Sequence, residues 1–418
     1  MTIFYVYENL GKDNLKSKLR ESVIENTPLI SDKFNQISIN SYYYGTFSKD
    51  DYFFYPIMIQ NPFDLEQNFL LGINSDILKQ IRTGKIHLLL DQSEEYDLFE
   101  TWQYAKALED GALFNELSNF FTYTPVGRVI NSVDIAKIPH CYVHWASPLY
   151  YENLLLQELK KYNLYVHINF HFRDYFLELY SDVSKNNLNK AIYPSNKMES
   201  YDYKYLYVAL NAGRQKPPKV EMIYRLWQEN MIDKGKISLE KLDQNEPTCR
   251  IYNNEFLKLL PIKPSANLEN KPRLFNSESV EKMFEIEHEI LHNVIIYISC
   301  ETLIDSNYCF ITEKTYRAII HKKAFMIVGN KNSLQKLKDL GFKTFNTWWD
   351  ESYDKMPWQD QIEHIIELLK KLDDTPEQLR VRDIYSNIEE VLEYNFLVLR
   401  DTDWFGNFEK SLIKSYNT

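Results

Sequence analysis

Short apolar runs recur along the chain between stretches with helical spacing. Residues 3–7, 86–90, 141–145 and 165–170 in the first half, and 205–210, 294–298 and 324–328 in the second, read as strands. Continuous runs of this kind, rather than strict alternation, suit strands covered on both faces. Their alternation with helical patterns predicts an α/β architecture with mainly parallel sheets, two sheets rather than one. Residues 184–204, polar, rich in Asn and Ser and containing Pro194, mark the linker between them. Residues 243–277 hold Pro247, Pro261, Pro264 and Pro272 and predict a long loop with short elements. Thr375-Pro376-Glu377-Gln378 is a capping-box start for a helix over 376–397, with apolar Leu379, Ile384, Ile388, Val391 and Leu392. Ile362, Ile365, Ile366 and Leu369 mark the helix before it, and both helices are expected to cover a sheet face. The aromatic runs Tyr42-Tyr43-Tyr44 and Tyr52-Phe53-Phe54-Tyr55 read as core strands, although such rings also stack on sugars or bases.

The segment 293–345 concentrates the chemistry. A buried strand over 293–299 delivers Cys300, Glu301 and Thr302 to its carboxyl end, where α/β proteins bind ligands. Thr312 then caps a helix whose apolar face is Tyr316, Ile319 and Ile320. Lys314 falls in that helix's first turn, where the macrodipole disfavours a cation by roughly 0.3 to 1 kcal/mol. A phosphate held by the backbone N–H groups and Lys314 would reverse the sign, and Glu313 could accept hydrogen bonds from ribose hydroxyls. A second βαβ half follows: a strand over 324–328, a turn over 329–332, Ser333 as cap, a helix over 334–340, Gly341 at its end, and a strand through Phe345.

Composition narrows the choices. At a prior of about 150 residues per domain, 418 residues suggest two or three domains, and 15% aromatics exclude the disorder signature. The net charge of -11 and pI near 5.4 oppose loose binding to nucleic acid or anionic lipid. Cys141, Cys249, Cys300 and Cys309 match no zinc or CxxC spacing and read as buried free thiols of a reducing compartment. No run approaches the ~18 apolar residues of a membrane span, and the N-terminus carries no export signal, so a soluble cytoplasmic protein is expected. Only 11 glycines occur, none spaced Gly-x-Gly, so any nucleotide is bound without a glycine-rich cradle.

Phe310-Ile311-Thr312-Glu313-Lys314, followed by a helix, the Ala-Phe-Met-Ile-Val-Gly strand and Leu-Gly-Phe-Lys-Thr-Phe, resembles the donor-binding motif of α-1,3-fucosyltransferases and related glycosyltransferase-like proteins, many of them viral. Ser299-Cys300-Glu301-Thr302 stands where that family has a Phe-Glu-Asn-Ser type sequence. The resemblance implies Glu313 on the ribose, Lys314 on the pyrophosphate, and Glu301 or Thr302 near the donor sugar. Leu210-Asn211-Ala212-Gly213-Arg214 resembles the family's Leu-Asn-x-x-x-Arg strand end, which brings an arginine to the pyrophosphate. The family segment is about one residue shorter, so Arg214, Lys216 and Lys219 compete for that role, with Arg214 nearest the strand end. The resemblance covers residues 205–354, about a third of the chain.

Inverting glycosyl transfer needs a group that takes a proton from the acceptor hydroxyl, and cations or dipoles that neutralise the departing nucleotide. The strand over 86–90 leads into Asp91-Gln92-Ser93-Glu94-Glu95, and clustered carboxylates raise one another's pKa. Related sequences carry a similar Asp-x-Ser-x-Glu pattern, which implies Glu95 first, then Asp91, as base. His144, at another strand end, is the reserve, while His167 and His171 read as core residues. The Asp-x-Asp triplet Asp401-Thr402-Asp403 lies in the C-terminal region, so no bound metal and no permanent cofactor are expected.

The resulting expectation is a GT-B fold: two Rossmann-like domains with an interdomain cleft and C-terminal helices. Residues 1–195 would bind the acceptor, 205–375 the nucleotide-sugar donor, and 376–418 would pack across both. The expected reaction is transfer from a GDP- or UDP-sugar to a hydroxyl of a glycan or of a hydroxymethylated DNA base. The net charge of -11 tilts the acceptor toward a glycan, although a basic cleft including Lys216, Lys219, Lys322 and Lys323 could still hold a phosphate backbone. The competing expectation is a non-catalytic sugar-nucleotide or glycan-binding protein on the same fold.

Overall fold

The computed structural model describes residues 2–7, 35–58, 74–91, 141–144, 164–167, 205–211, 217–242, 251–262, 290–291, 294–301, 311–375 and 386–416. The chain is an α/β protein with two all-parallel, Rossmann-like sheets. It divides into two units, one of Met1–Leu179 with Asp403–Thr418, the other of Tyr180–Thr402. The linker expected over 184–204 lies outside the described residues.

Among its described residues the first unit carries six strands: β1 (Ile3–Tyr7), β2 (Gln36–Ser38), β3 (Tyr52–Met58), β4 (His87–Asp91), β5 (Cys141–His144) and β6 (Leu164–His167). They lie in the order β2-β1-β3-β4-β5-β6. Tyr5, Val6, Phe54, Tyr55, Leu88 and Leu89 are buried, as runs covered on both faces require. Helix α1 (Ile39–Tyr44) corrects one expectation, for Tyr42, Tyr43 and Tyr44 are not a core strand. The Ser38 hydroxyl accepts from the Ser41 N–H and starts a helix instead, leaving Tyr44 88% exposed. The run 52–55 does form a core strand. Helix α2 (Ser75–Arg82) buries Ile77 and Ile81.

The second unit holds β7 (Tyr205–Asn211), α3 (Pro217–Gln228), β8 (Gly235–Leu239), α4 (Asn254–Lys258), β9 (Val294–Cys300), α5 (Glu313–Ile320), β10 (Ala324–Val328), α6 (Ser333–Asp339), α7 (Trp358–Asp374) and α8 (Ser386–Asp401). Its sheet order is β10-β9-β7-β8. Every residue of β9 and β10 is buried. α7 buries Ile362, Ile365, Ile366 and Leu369, the stripe read from the sequence.

Three further expectations change. Residues 342–345 are not a strand, because side chains take the place of a neighbouring strand: the Lys343 N–H donates to Asn395 Oδ1 at 2.7 Å, Asn395 Nδ2 donates to the Lys343 carbonyl at 2.8 Å, and the Phe345 N–H donates to Glu351 at 2.6 Å. Ser333 does not cap α6. Asn332 stands at that position in the left-handed region, and the Asp354 carboxylate accepts the Leu334 and Gln335 N–H groups at 2.8 and 3.2 Å. The single helix expected over 376–397 is α8, whose upstream residues 376–385 lie outside the described residues, and it runs on to Asp401.

The last helix, α9 (Trp404–Tyr416), belongs to the first unit, where buried Tyr5 donates to Glu409 at 3.2 Å. Among the described residues, no helix is long and apolar enough to cross a membrane.

Candidate functional site

In the second unit the chain leaves β7 for β8 on one side and returns to β9 on the other, so strand order reverses between β7 and β9. Open α/β sheets bind ligands outside the carboxyl ends of the strands at such a reversal. The residues delivered there are Asn211 from β7 and Cys300 and Glu301 from β9. The connections out of these strands lead to α3 and α5, whose N-termini therefore start at this edge.

Asn211 is buried, with its N–H on Ser238 Oγ at 3.0 Å and its Nδ2 on the Lys219 carbonyl at 3.4 Å. Its Oδ1 is buried with no hydrogen-bond partner among the described residues. An orphaned acceptor of this kind costs about 1–3 kcal/mol unless a ligand donates to it. Lys219 sits in the first turn of α3 behind Pro217 and Pro218, and only 5% of it is exposed. Those prolines suit a helix start but lack N–H groups, so they offer no backbone donors there. Burial pushes the Cys300 thiol up to about 12, the charges of Lys219 and Lys314 and the Asn211 amide oppose that rise, and Glu301 adds to it. The pairing of β7 with β9 brings the carboxyl ends of these two strands, and so Asn211 and Cys300, side by side.

Glu301 is fully buried. Its carboxylate accepts the Thr312 N–H at 3.2 Å, the Thr312 hydroxyl, the Thr315 hydroxyl at 2.7 Å and the Ser299 hydroxyl at 3.4 Å. Thr312 caps α5 as the sequence predicted, and its Oγ1 also accepts from Lys314 Nζ at 3.0 Å. The electrostatic mismatch of a lysine in this first turn is therefore met within the chain by the Glu301 carboxylate. Ser299 and Thr315 were not singled out from sequence. The Thr-x-x-Thr spacing of 312 and 315 was the available signal, since residues three apart share a helix face.

Asn211, Lys219, Glu301, Thr312 and Lys314 are thus brought together at one edge. Glu313 is the first residue of α5, but its side chain lies outside the described residues, as do Thr302, Arg214, Lys216 and Glu95. In the first unit Asp91 and His144 stand in register at the carboxyl ends of adjacent strands, and His144 and His167 do likewise on the next pair. Their side chains lie outside the described residues. Among the described residues, Lys322 and Lys323 do not share a basic cleft with Lys219. Lys322 and Lys323 precede β10, at the opposite edge of the sheet from Lys219, about 17 Å away along a five-residue strand. Lys322 instead pairs with Glu393 and covers the Phe396 ring, and Lys323 donates to the Val294 carbonyl at 3.0 Å. The Asp401-Thr402-Asp403 triplet is also engaged, Asp401 by Arg400 and Asp403 by the Gly406 N–H.

No protein-family model matches the chain, and no curated protein matches it.

Proposed function

We propose that the protein is a nucleotide-sugar-dependent glycosyltransferase of the GT-B type, in which the second unit binds the donor and the first the acceptor. The observation that carries the reading is the strand-order reversal of the second sheet, where β7 ends on Asn211, bonded to the Lys219 carbonyl, and the neighbouring β9 ends beside the Thr312–Lys314 start of α5. A ligand that suits this edge presents negative charge to the two ammonium groups and a hydrogen-bond donor to Asn211 Oδ1. A diphosphate carrying ribose and sugar hydroxyls offers both. In the reaction the acceptor oxygen bonds to the anomeric carbon, the bond from that carbon to the diphosphate breaks, and the acceptor proton passes to a base. Lys219 and Lys314 would stabilise the charge left on the diphosphate.

Glu95, Asp91 and His144 remain the candidates for the base. Asp91 and His144 stand in register at the carboxyl ends of adjacent strands, which supports keeping both as candidates. The separation of Lys322 and Lys323 from Lys219 favours a glycan over a DNA acceptor, because no single basic surface tracks a phosphate backbone across these residues.

The test is a thermal-shift screen against UDP, GDP, CDP and ADP and their common sugar conjugates. A ligand at a hundredfold its Kd stabilises by about 2.7 kcal/mol. One nucleotide series should raise the melting temperature, and Lys219→Ala and Lys314→Ala should each weaken its binding at least several fold. A well-folded wild-type protein that responds to none of these ligands would refute the proposal. Binding without sugar transfer or donor hydrolysis would instead favour the non-catalytic reading.

A further inference from the structure

The hydrogen bonds at the start of α5 have a direction. A threonine hydroxyl has one proton to give and two lone pairs to accept with. The Thr312 hydroxyl donates its proton to the Glu301 carboxylate. The lone pairs of Thr312 Oγ1 are then turned toward the Lys314 N–H and the Lys314 ammonium, at 3.4 and 3.0 Å. Glu301 lies at the buried end of this chain, and Lys314 at its half-buried end.

We propose that Glu301 is a positioning residue: through the Thr312 hydroxyl it orients the Lys314 ammonium at the carboxyl edge of the second sheet. This inference rests on the donor-site reading for its purpose but not for its geometry. It assigns Glu301 a role other than touching the donor sugar, because the carboxylate is fully buried and holds four hydrogen bonds from its own chain. Removing the Thr312 hydroxyl would take away its contact to Lys314 without removing the lysine.

Positioning and simple capping of α5 make different predictions. Thr315 also binds Glu301 but takes no part in the path to Lys314. If Glu301 only ties down the helix start, loss of the Thr315 hydroxyl should loosen Lys314 as loss of the Thr312 hydroxyl does. If the path matters, only Thr312 and Glu301 variants should.

The experiment is competitive amine labelling of the full-length protein with acetic anhydride, reading Lys314 by mass spectrometry against Lys338 as internal reference. Glu301→Gln and Thr312→Val should raise Lys314 labelling by about three- to tenfold, one hydrogen bond to a charged group discounted for a half-exposed ammonium. Thr312→Ser, which keeps the hydroxyl, and Thr315→Val should label as the wild type does. Unchanged Lys314 labelling in Glu301→Gln and Thr312→Val, or an equal rise in Thr315→Val, would overturn the proposal. Should Glu301→Gln fail to fold, the Thr312→Val and Thr312→Ser pair decides alone. The labelling needs no ligand, so a protein that passes it yet binds no nucleotide leaves the positioning role standing and removes the donor-site reading. Where a nucleoside diphosphate does bind, Glu301→Gln should weaken it several fold while leaving the matching nucleoside unchanged.

Discussion

Replacing Asp354 by alanine tests the account of α6. The helix starts at Asn332, whose side chain makes no capping bond, and its first-turn donors from Leu334 and Gln335 go to the Asp354 carboxylate at 2.8 and 3.2 Å. Hydrogen bonds to a charged group contribute about 1.5 to 3 kcal/mol each. Against this stands the cost of burying the carboxylate, which raises its pKa, with the two N–H groups opposing the rise and Glu351 adding to it. Loss of a capping side chain typically costs about 0.5 to 2 kcal/mol, and one buried and one part-buried donor left unpaired place Asp354→Ala near 2 kcal/mol. For a unit of this size that lowers Tm by about 4 to 8 °C, measurable by circular dichroism.

The isosteric Asp354→Asn adds a check on sign. The folded chain holds this proton at higher pH than the unfolded chain, so ionised Asp354 costs stability above its folded pKa. That cost disappears as pH falls through the folded value toward the ordinary 3.8, so the wild type should gain on Asp354→Asn between pH 7 and that value. An alanine variant within about 0.5 kcal/mol of wild type, the usual range of surface substitutions, or a wild type that loses ground to Asp354→Asn on acidification, would refute the reasoning.

Two other outcomes follow from the packing of the second sheet. In Gly235→Ala the new Cβ would lie 2.3 Å from the Tyr207 ring, which cannot swing away because its hydroxyl donates to the Met231 carbonyl at 2.8 Å. Overpacking of this kind costs about 1–3 kcal/mol, and a variant with an unshifted urea midpoint would show that β8 can yield. Burial, with Lys236 nearby, pushes the Lys323 ammonium down to about 8, so its charged form costs stability below that pH. Between pH 8 and the ordinary 10.5 the wild type should therefore gain on Lys323→Met in urea melts, and parallel profiles for the two proteins would contradict this.

The parallel strands were legible because strands covered on both faces must be apolar throughout, and the runs at 3–7, 205–210, 294–298 and 324–328 leave no other reading of their length. Short or alternating strands were not. β2 is three residues of Gln-Ile-Ser, and β8 opens on Gly-Lys, so neither forms an apolar run. The segment 342–345 failed in the opposite direction. It has the apolar content of a strand, but its hydrogen-bonding partners come from Asn395 and Glu351, the former 52 residues away.

The candidate site divides along the same line. Thr312 as a cap, Lys314 in a first turn, and Asn211 and Glu301 at strand ends follow from local rules, because capping and strand exit depend on neighbours within a few residues. Sequence alone determined that this is an α/β chain and that Asn211, Glu301 and Thr312 stand at ends of its elements. Only the tertiary structure decided that β7 and β9 are neighbours, which brings Asn211 and Lys219 to Cys300, and that Lys322 and Lys323 lie at the other edge of the sheet. It alone decided that the buried anion at the start of α5 is Glu301. The reason is physical: strand order is set by which faces the connecting segments must cover, and a buried carboxylate finds its donors through space, so neither leaves a mark within any short window of sequence.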